Sequence, residues 1–352
     1  MTTIGPTSNV HAVDGDASYT ALRELSVAPL WRYYGTLLPA EPKNRARPHV
    51  WHYARLRPHA LHFSRELSMA EAERRVLMLI NPALTEPPAT VNTLFAGIQI
   101  LMPGETAQAH RHTAAAFRFI IEGNGAYTTV NGECVPMRAG DLLLTPSWHW
   151  HDHTHSGDGV MMWLDGLDYP LVNALDAGFF ESYEQRTQPV TRPENMSSRQ
   201  LLHGRLNPVW EPPQTNISPV GNYCWTETKR ALDAIADDAM GSSAEGIQLE
   251  YSNPWTGGPV MPTMSCRIAR LRAGFLGTPR RHTASTIYHV VSGQGSTEVD
   301  GQRLDWTDKD VFVVPGWTPY IHRIAADQDA ILFAYSDEPV LRALGLYREQ
   351  WL

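Results

Sequence analysis

Two His-x-His pairs, His110-Arg111-His112 and His151-Asp152-His153, are the residues whose type and spacing most clearly imply chemistry. The stretch Gly104–His155 that contains them holds six of the chain's 15 histidines. Side chains two residues apart on a strand share a face. Each pair therefore projects two imidazoles together if its segment is extended. Neutral imidazoles converging on one face suit a late first-row metal. This pattern predicts a metal site inside a β-barrel.

Two neighbouring strands folded back on each other would bring the pairs together. Between the pairs lie an alternating apolar run, the hairpin signal Asn131-Gly132, and a second run, Asp141 to Pro146. Arg118 lies six residues past His112, an even spacing that turns it to the same interior on an unbroken strand. A guanidinium there needs an anion. A substrate carboxylate would supply one; a salt bridge to Asp165 or Glu122 is the alternative.

The chain has 352 residues, room for two domains and a substantial core. With 29 basic and 37 acidic residues its formal charge is −8, which implies no basic surface for nucleic acid or acidic membranes. Cys134, Cys224 and Cys266 are widely spaced and odd in number, against a disulfide framework. No apolar run approaches membrane-spanning length, and the first residues lack a signal-peptide pattern. The expected compartment is the cytoplasm.

Residues 1 to about 16 read as a tail, followed by a helix from Ala17 to Tyr34 that Pro29 interrupts. The aromatic, proline-containing segment after it is expected to pack outside a barrel or on a partner subunit, with His49, His52, His59 and His62 structural. A short helix is expected over Met69 to Glu73. Residues 90 to 170 read as short strands with turns at Pro103-Gly104, Gly123-Asn124-Gly125, Asn131-Gly132 and Ala139-Gly140, the rhythm of a jelly roll. Residues 185 to 221 carry six prolines and read as an interdomain connection. An amphipathic helix follows, with Leu232, Ile235, Ala236, Ala239 and Met240 on one face. Strand signals resume near residue 260.

The second half repeats the first. Residues 280–301 lie over 110–132 at an offset of 170, and 310–322 over 141–153 at 169. Matching glycines, turns and Pro-x-Trp positions indicate a duplicated domain. His110 corresponds to Arg280, His112 to His282, His151 to Tyr320 and His153 to His322. Arg280 cannot ligate a cation, so the second barrel is expected to have lost the metal and kept the fold, with His282 and His322 structural.

The patterns Gly104-x5-His110-x-His112 and Gly140-x5-Pro146-x-Trp148-x2-His151 resemble the two motifs of the cupin superfamily. The usual glutamate of the first motif is absent: Ala116 and Phe117 stand there, followed by Arg118. More closely, PLWRYYGTLLP, PHVWHY, ERRVLMLINPAL, HRHTAAAFRFIIEG, GDLLLTPSWHWHDH, WLDGLDYPL, LDAGFFE and VVPGW resemble the gentisate 1,2-dioxygenase family of bicupins, which includes salicylate and 1-hydroxy-2-naphthoate dioxygenases. The resemblance implies an all-β-dominated bicupin, two jelly-roll β-barrels with peripheral helices. Its expected parts are an N-terminal segment over 1–90, a metal-binding cupin over 91–184, a connection with a helix over 185–245, and a degenerate cupin over 246–352.

The resemblance further implies Fe(II) held by His110, His112 and His151, with O2 as co-substrate and a homotetrameric assembly. His153, Arg118 and Asp165 match catalytic positions; Arg74, Phe95, Gln99, Arg118 and His153 match substrate positions. Three neutral ligands leave Fe(II) open positions for a bidentate 2-hydroxybenzoate and dioxygen. The ring would open between its carboxyl- and hydroxyl-bearing carbons. Phe95 replaces a frequent tyrosine or tryptophan and offers no donor to a 5-hydroxyl, which tilts the expectation away from strict gentisate specificity toward salicylates that lack that hydroxyl or carry another 5-substituent. The expected substrate is gentisate or a 5-substituted salicylate such as 5-nitrosalicylate. Salicylate and 1-hydroxy-2-naphthoate are alternatives. Outside oxygenases, a Zn²⁺ enzyme and a small-acid binding protein stay open. His149 and His155 are open to pocket-rim or surface roles, with the surface expected, and Cys134 is expected to be inert.

Overall fold

The computed structural model describes residues 17–202, 217–236 and 239–352. The expected tail up to residue 16 and Pro208, Pro212 and Pro213 lie outside the described residues. Residues up to Lys43 form one unit and Asn44–Leu352 another.

In the first unit two helices, Ala17–Glu24 and Leu30–Leu37, replace the expected single one. Pro29, at φ −75° and ψ 119°, breaks it and caps the second. Neither helix buries a residue, and Leu25, Leu30, Trp31, Tyr34 and Leu37 are exposed.

The larger unit is two β-barrels of matching construction. In the first, a six-stranded sheet runs in the order 222–223, 142–145, 116–122, 161–167, 95–101, 76–78. A five-stranded sheet in the order 180–182, 106–112, 151–155, 126–130, 133–137 faces it. The second barrel repeats this with six strands (49–51, 311–314, 286–292, 330–336, 265–271, 247–250) and five (302–306, 295–299, 320–324, 280–282, 349–351). The sequence repeat is thus a repeat of architecture. Strand signals begin at Ile247, earlier than expected, because the edge strand Ile247–Glu250 is short and half polar.

Period-two alternation divides each strand between two environments. From Phe95–Leu101, residues Ala96, Ile98 and Ile100 join Phe117, Phe119, Met162 and Leu164 in a core shared with Ile287, Val313, Phe333 and Tyr335 of the second barrel. Phe119 stacks on Phe333 at 4.3 Å between centroids. Each such buried aromatic contributes roughly 1.5–3 kcal/mol. Gly166 faces Phe117 across the sheet, and a Cβ there would lie 2.2 Å from the Phe117 ring. The opposite set, including Gln99, Arg118 and Asp165, is left for the interior of the first barrel.

The barrels also exchange pieces. His49–Trp51, from the N-terminal part, pairs with Val311–Val314 of the second barrel, while Asn222–Tyr223, from the connection, pairs with Leu142–Thr145 of the first. A helix follows each added strand, Tyr53–Glu66 and Trp225–Ala236. Asp310 and Asp141 accept the first helical N–H of each, from Tyr53 and Trp225, both at 2.8 Å. The 14-residue helix Tyr53–Glu66 contains Pro58, which hid it in the sequence. On the second helix Leu232 and Ala236 are buried as expected, but Ile235 is 40% exposed and Met240 is 92% exposed.

Candidate metal centre

The His110 strand, Thr106–His112, pairs antiparallel with His151–His155, placing His110 directly opposite His151. Between Ala107 and His110 the register slips by one residue, a bulge that re-aims His110 toward its partner. His151–His155 also pairs with Ala126–Val130, whose other edge the Asn131-Gly132 turn folds onto Glu133–Met137. The expected convergence results: ring centroids lie 4.4 Å apart for His110–His151, 5.0 Å for His112–His151 and 5.3 Å for His110–His112. One ligand atom from each lies within 4.8 Å of the others.

The Pro-x-Trp motif has a structural reason here. Trp148 adopts φ +62°, a conformation costly for an aromatic residue, and its N–H donates to His112 O at 2.8 Å. Trp317 does the same at φ +60° toward His282. The turn therefore pins the end of the strand that carries His112. Arg111 lies over both Trp148 and Trp150 at 4.4 Å.

The imidazoles suit a metal chemically. His112 Nδ1 donates to Ala114 O at 2.7 Å and His151 Nδ1 to His149 O at 3.0 Å, leaving each Nε2 with a lone pair. At His110, Nδ1 lies 2.6 Å from Arg74 Nη2 and accepts, since a guanidinium has no lone pair, so the neutral ring carries its proton on Nε2 and must release Arg74 or shift that proton to ligate a metal. Burial, reinforced by Arg74 and Arg118, holds His110 and His151 far below the usual imidazole range, and burial brings His112 down to about 4. All three are neutral near neutral pH, the ligating form.

Around them stand groups with unused hydrogen-bonding capacity. Arg74 Nη1, Arg118 Nε, Gln99 Nε2 and His153 Nε2 are buried and without a partner. Arg74 Nη2 also donates to Gln108 O at 2.8 Å. Arg118 sits opposite Asp165, its Nε 3.6 Å from Oδ1, and its Nη1 donates to Thr145 Oγ1 at 2.5 Å. The salt bridge to Asp165, the alternative weighed for Arg118, is therefore present. Glu122 is instead engaged by Arg57 and Lys309. Burial outweighs Arg118 and pushes the Asp165 carboxyl up to about 6. Trp163 Nε1 donates to the same Oδ1 at 2.9 Å.

His153 is fully buried and its Nδ1 lies 2.7 Å from Thr128 Oγ1. With the Thr128 hydroxyl hydrogen turned to Met137 Sδ, 3.5 Å from its Oγ1, Nδ1–H donates and Nε2 keeps a lone pair. The buried Phe95 ring lies over Gly97, where a Cβ would come within 2.8 Å of it, and contacts Tyr169 at 5.1 Å.

Thr128, Thr145 and Phe180 were not singled out in the sequence. The Phe180 ring lies 5.1 Å from His110, on a short strand added to the His110 edge. Phe180 is 63% exposed. The alternation of Ala126–Val130 would have turned Thr128 inward; nothing local marks Thr145 or Phe180. His155, expected at the surface, is buried and its Nε2 bonds Gly159 O at 2.8 Å. His149 is half-buried, its Nδ1 2.9 Å from Ser147 O. Burial raises the Cys134 thiol, keeping it protonated.

Residues 97–166 and 267–335 each match the cupin domain family. Gentisate 1,2-dioxygenase 1 of Aquipseudomonas alcaligenes is 37% identical over 94% of both chains. The 5-aminosalicylate 1,2-dioxygenase of a Comamonas species is 40% identical, over 96% of this chain and 90% of that one. Among solved structures, a salicylate 1,2-dioxygenase from Pseudoaminobacter salicylatoxidans with gentisate superposes with a TM-score of 0.90 at 38% identity, covering 99% of this chain and 96% of the other.

Proposed function

The chain belongs to the gentisate and salicylate 1,2-dioxygenase family of cupin proteins and is a ring-cleaving dioxygenase, and from that membership we propose an Fe(II)-dependent enzyme that opens a 2-hydroxybenzoate between its carboxyl- and hydroxyl-bearing carbons. The observation that carries this reading is the meeting of three neutral imidazoles with four unpartnered polar atoms, on Arg74, Gln99, Arg118 and His153.

In this reading His110, His112 and His151 hold the metal. Bound Fe(II) would supply the one-electron chemistry that couples an electron-rich ring to O2, which Zn²⁺, having no redox chemistry, would not. Arg74 and Arg118 bind the substrate carboxylate, the anion that the buried Arg74 Nη1 and Arg118 Nε still lack as a hydrogen-bond partner. Asp165 holds Arg118 in place. His153 Nε2 accepts a hydrogen bond from the substrate hydroxyl, with Thr128 fixing its ring. Gln99 Nε2 offers a donor to the bound acid. Phe95 supplies an apolar wall without a donor for a 5-hydroxyl, which tilts the choice away from strict gentisate specificity toward salicylates that lack that hydroxyl or carry another 5-substituent such as nitro; the likeness to a 5-aminosalicylate dioxygenase agrees.

The assignment extends to the division 1–90, 91–184, 185–245 and 246–352, to a homotetramer, and to the cytoplasm. Uncovered apolar side chains at Leu25 and Val27 and on Leu30–Leu37 support self-association. The free thiols of Cys134, Cys224 and Cys266 support a reducing compartment. No described helix is long and apolar enough to cross a membrane.

The substrate is tested by O2 uptake of Fe(II)-loaded protein with gentisate, 5-nitrosalicylate, 5-aminosalicylate, salicylate and 1-hydroxy-2-naphthoate. Preference for a 5-substituted ring is expected; preference for the fused ring would overturn the role given to Phe95.

A further inference from the structure

The second barrel is not simply an emptied copy of the first. Its equivalents of His110 and His151 are Arg280 and Tyr320, and a carboxylate from its own chain lies between them. Glu245 Oε1 accepts from Arg280 Nη2 at 2.7 Å, from Tyr320 OH at 2.7 Å and from Tyr288 OH at 3.3 Å. Its Oε2 lies 3.5 Å from His322 Nε2. The Glu245 side chain is 2% exposed.

The register shows what Glu245 replaces. Val76 pairs with Gln99 and Gln248 with Ala269, at corresponding positions of the two halves. Counting back along these edge strands brings Arg74 to within one residue of Glu245. In the first barrel Arg74 contacts His110; in the second Glu245 contacts Arg280, the residue at the His110 position. The charge of Arg74 is inverted at Glu245, and the neutral His110 gives way to a cation. Arg280 supplies fixed positive charge where the first barrel has imidazoles, and Glu245 supplies the anion.

The chain builds this insertion deliberately. Ser242 and Gly246 exchange backbone hydrogen bonds at 2.7 and 2.9 Å, and Ser242 Oγ accepts from Glu245 N at 3.3 Å. The carboxylate thus projects inward from a closed turn, itself tied to the wall by Thr278 N and Ser243 O at 2.7 Å.

We propose that the interior of the second barrel is a receptor for a small monocarboxylate, occupied in cis by Glu245, and that vacating this side chain opens it to formate or acetate. Arg280 and the Tyr320 and Tyr288 hydroxyls supply the donors, a set matched to one carboxylate group. The proposal rests on these residues and not on what the first barrel turns over.

The test is thermal unfolding of the full-length, metal-loaded protein in sodium formate or acetate against sodium chloride at equal ionic strength. Wild type, E245A, E245Q and E245A/R280M are compared, and wild type corrects for carboxylate binding at the first barrel. A ligand specific to the folded state, at about ten times its Kd, lifts the midpoint by a few degrees. E245A is expected to gain that much beyond wild type. E245Q, which fills the space, and E245A/R280M, which lacks the cation, are expected to respond only as wild type does. A response of E245A no larger than wild type overturns the proposal, as does an equal response in E245A/R280M. If E245A folds only with formate present during preparation and not with chloride, the proposal stands; failure to fold in both overturns it.

Discussion

Arg118 and Asp165 face each other on neighbouring strands of the first barrel, guanidinium Nε 3.6 Å from carboxylate Oδ1, with both side chains under 10% exposed. At that distance the contact is an ion pair without a hydrogen bond, and Nε has no other partner. A bound carboxylate would complete it. R118A is expected to cost about 2–5 kcal/mol of substrate binding, seen as a KM raised at least about 30-fold, with metal content retained. An unchanged KM together with lost metal would reassign Arg118 to the scaffold.

Thr128 takes the Nδ1–H of His153 and so sets which nitrogen faces the site. T128V keeps the shape and removes the acceptor. A buried group left unsatisfied costs about 1–3 kcal/mol, so kcat is expected to fall about 10-fold, with KM less affected. Equal kcat in T128V and wild type would remove Thr128 from the positioning role.

The two barrels are fastened by a reciprocal pair of hydrogen bonds. Thr263 of the second donates to Asp168 of the first, and Thr93 of the first donates to Asp337 of the second, both at 2.5 Å. Asp168 also accepts from Ala115 N and Asp337 from Ser285 N, at matching positions. T263V and T93V are each expected to destabilise by about 1–3 kcal/mol and to shift a single unfolding transition. A split transition in wild type, or a shift from one variant alone, would contradict this symmetric lock.

Glu245 gives the second barrel a pH signature. Burial alone would raise its pKa, but His322, Arg280 and Tyr320 together hold it well below the usual glutamate range. A depressed folded-state pKa contributes stability that is present above the unfolded value, about 4.3, and is lost as pH falls toward the folded one. Arg280, Tyr320, Tyr288 and His322 face this carboxylate, and Glu349 pairs with the far side of Arg280. E245Q is expected to unfold at a lower temperature than wild type at pH 7 and to lose less between pH 5 and pH 3. Parallel acid limbs for the two proteins would exclude the carboxylate as their source.

What the sequence discloses follows from what is local in it. The His-x-His spacing, the Asn131-Gly132 turn and the offset of 170 are short-range patterns, and they sufficed to place the imidazole cluster and the duplicated architecture. The bulge before His110 depends on pairing with another strand and leaves no local trace. The exchange of His49–Trp51 and Asn222–Tyr223 between barrels is likewise a property of the assembled sheets. His155 reads as polar surface until Gly159 O is found beside it. Glu245 gives the least warning: its partner Arg280 is 35 residues away, and only the folded barrel brings the two charges together.

The central assignment is tested most directly by iron content and O2 uptake measured together on Fe(II)-loaded H151A, H282A and wild type. One iron per chain is expected in wild type and H282A, with uptake in H282A close to wild type. H151A is expected to lose the iron and more than about 100-fold of turnover, beyond the loss typical of an outer-shell change. Full iron and activity in H151A, or their loss in H282A alone, would place the reaction elsewhere than at His110, His112 and His151.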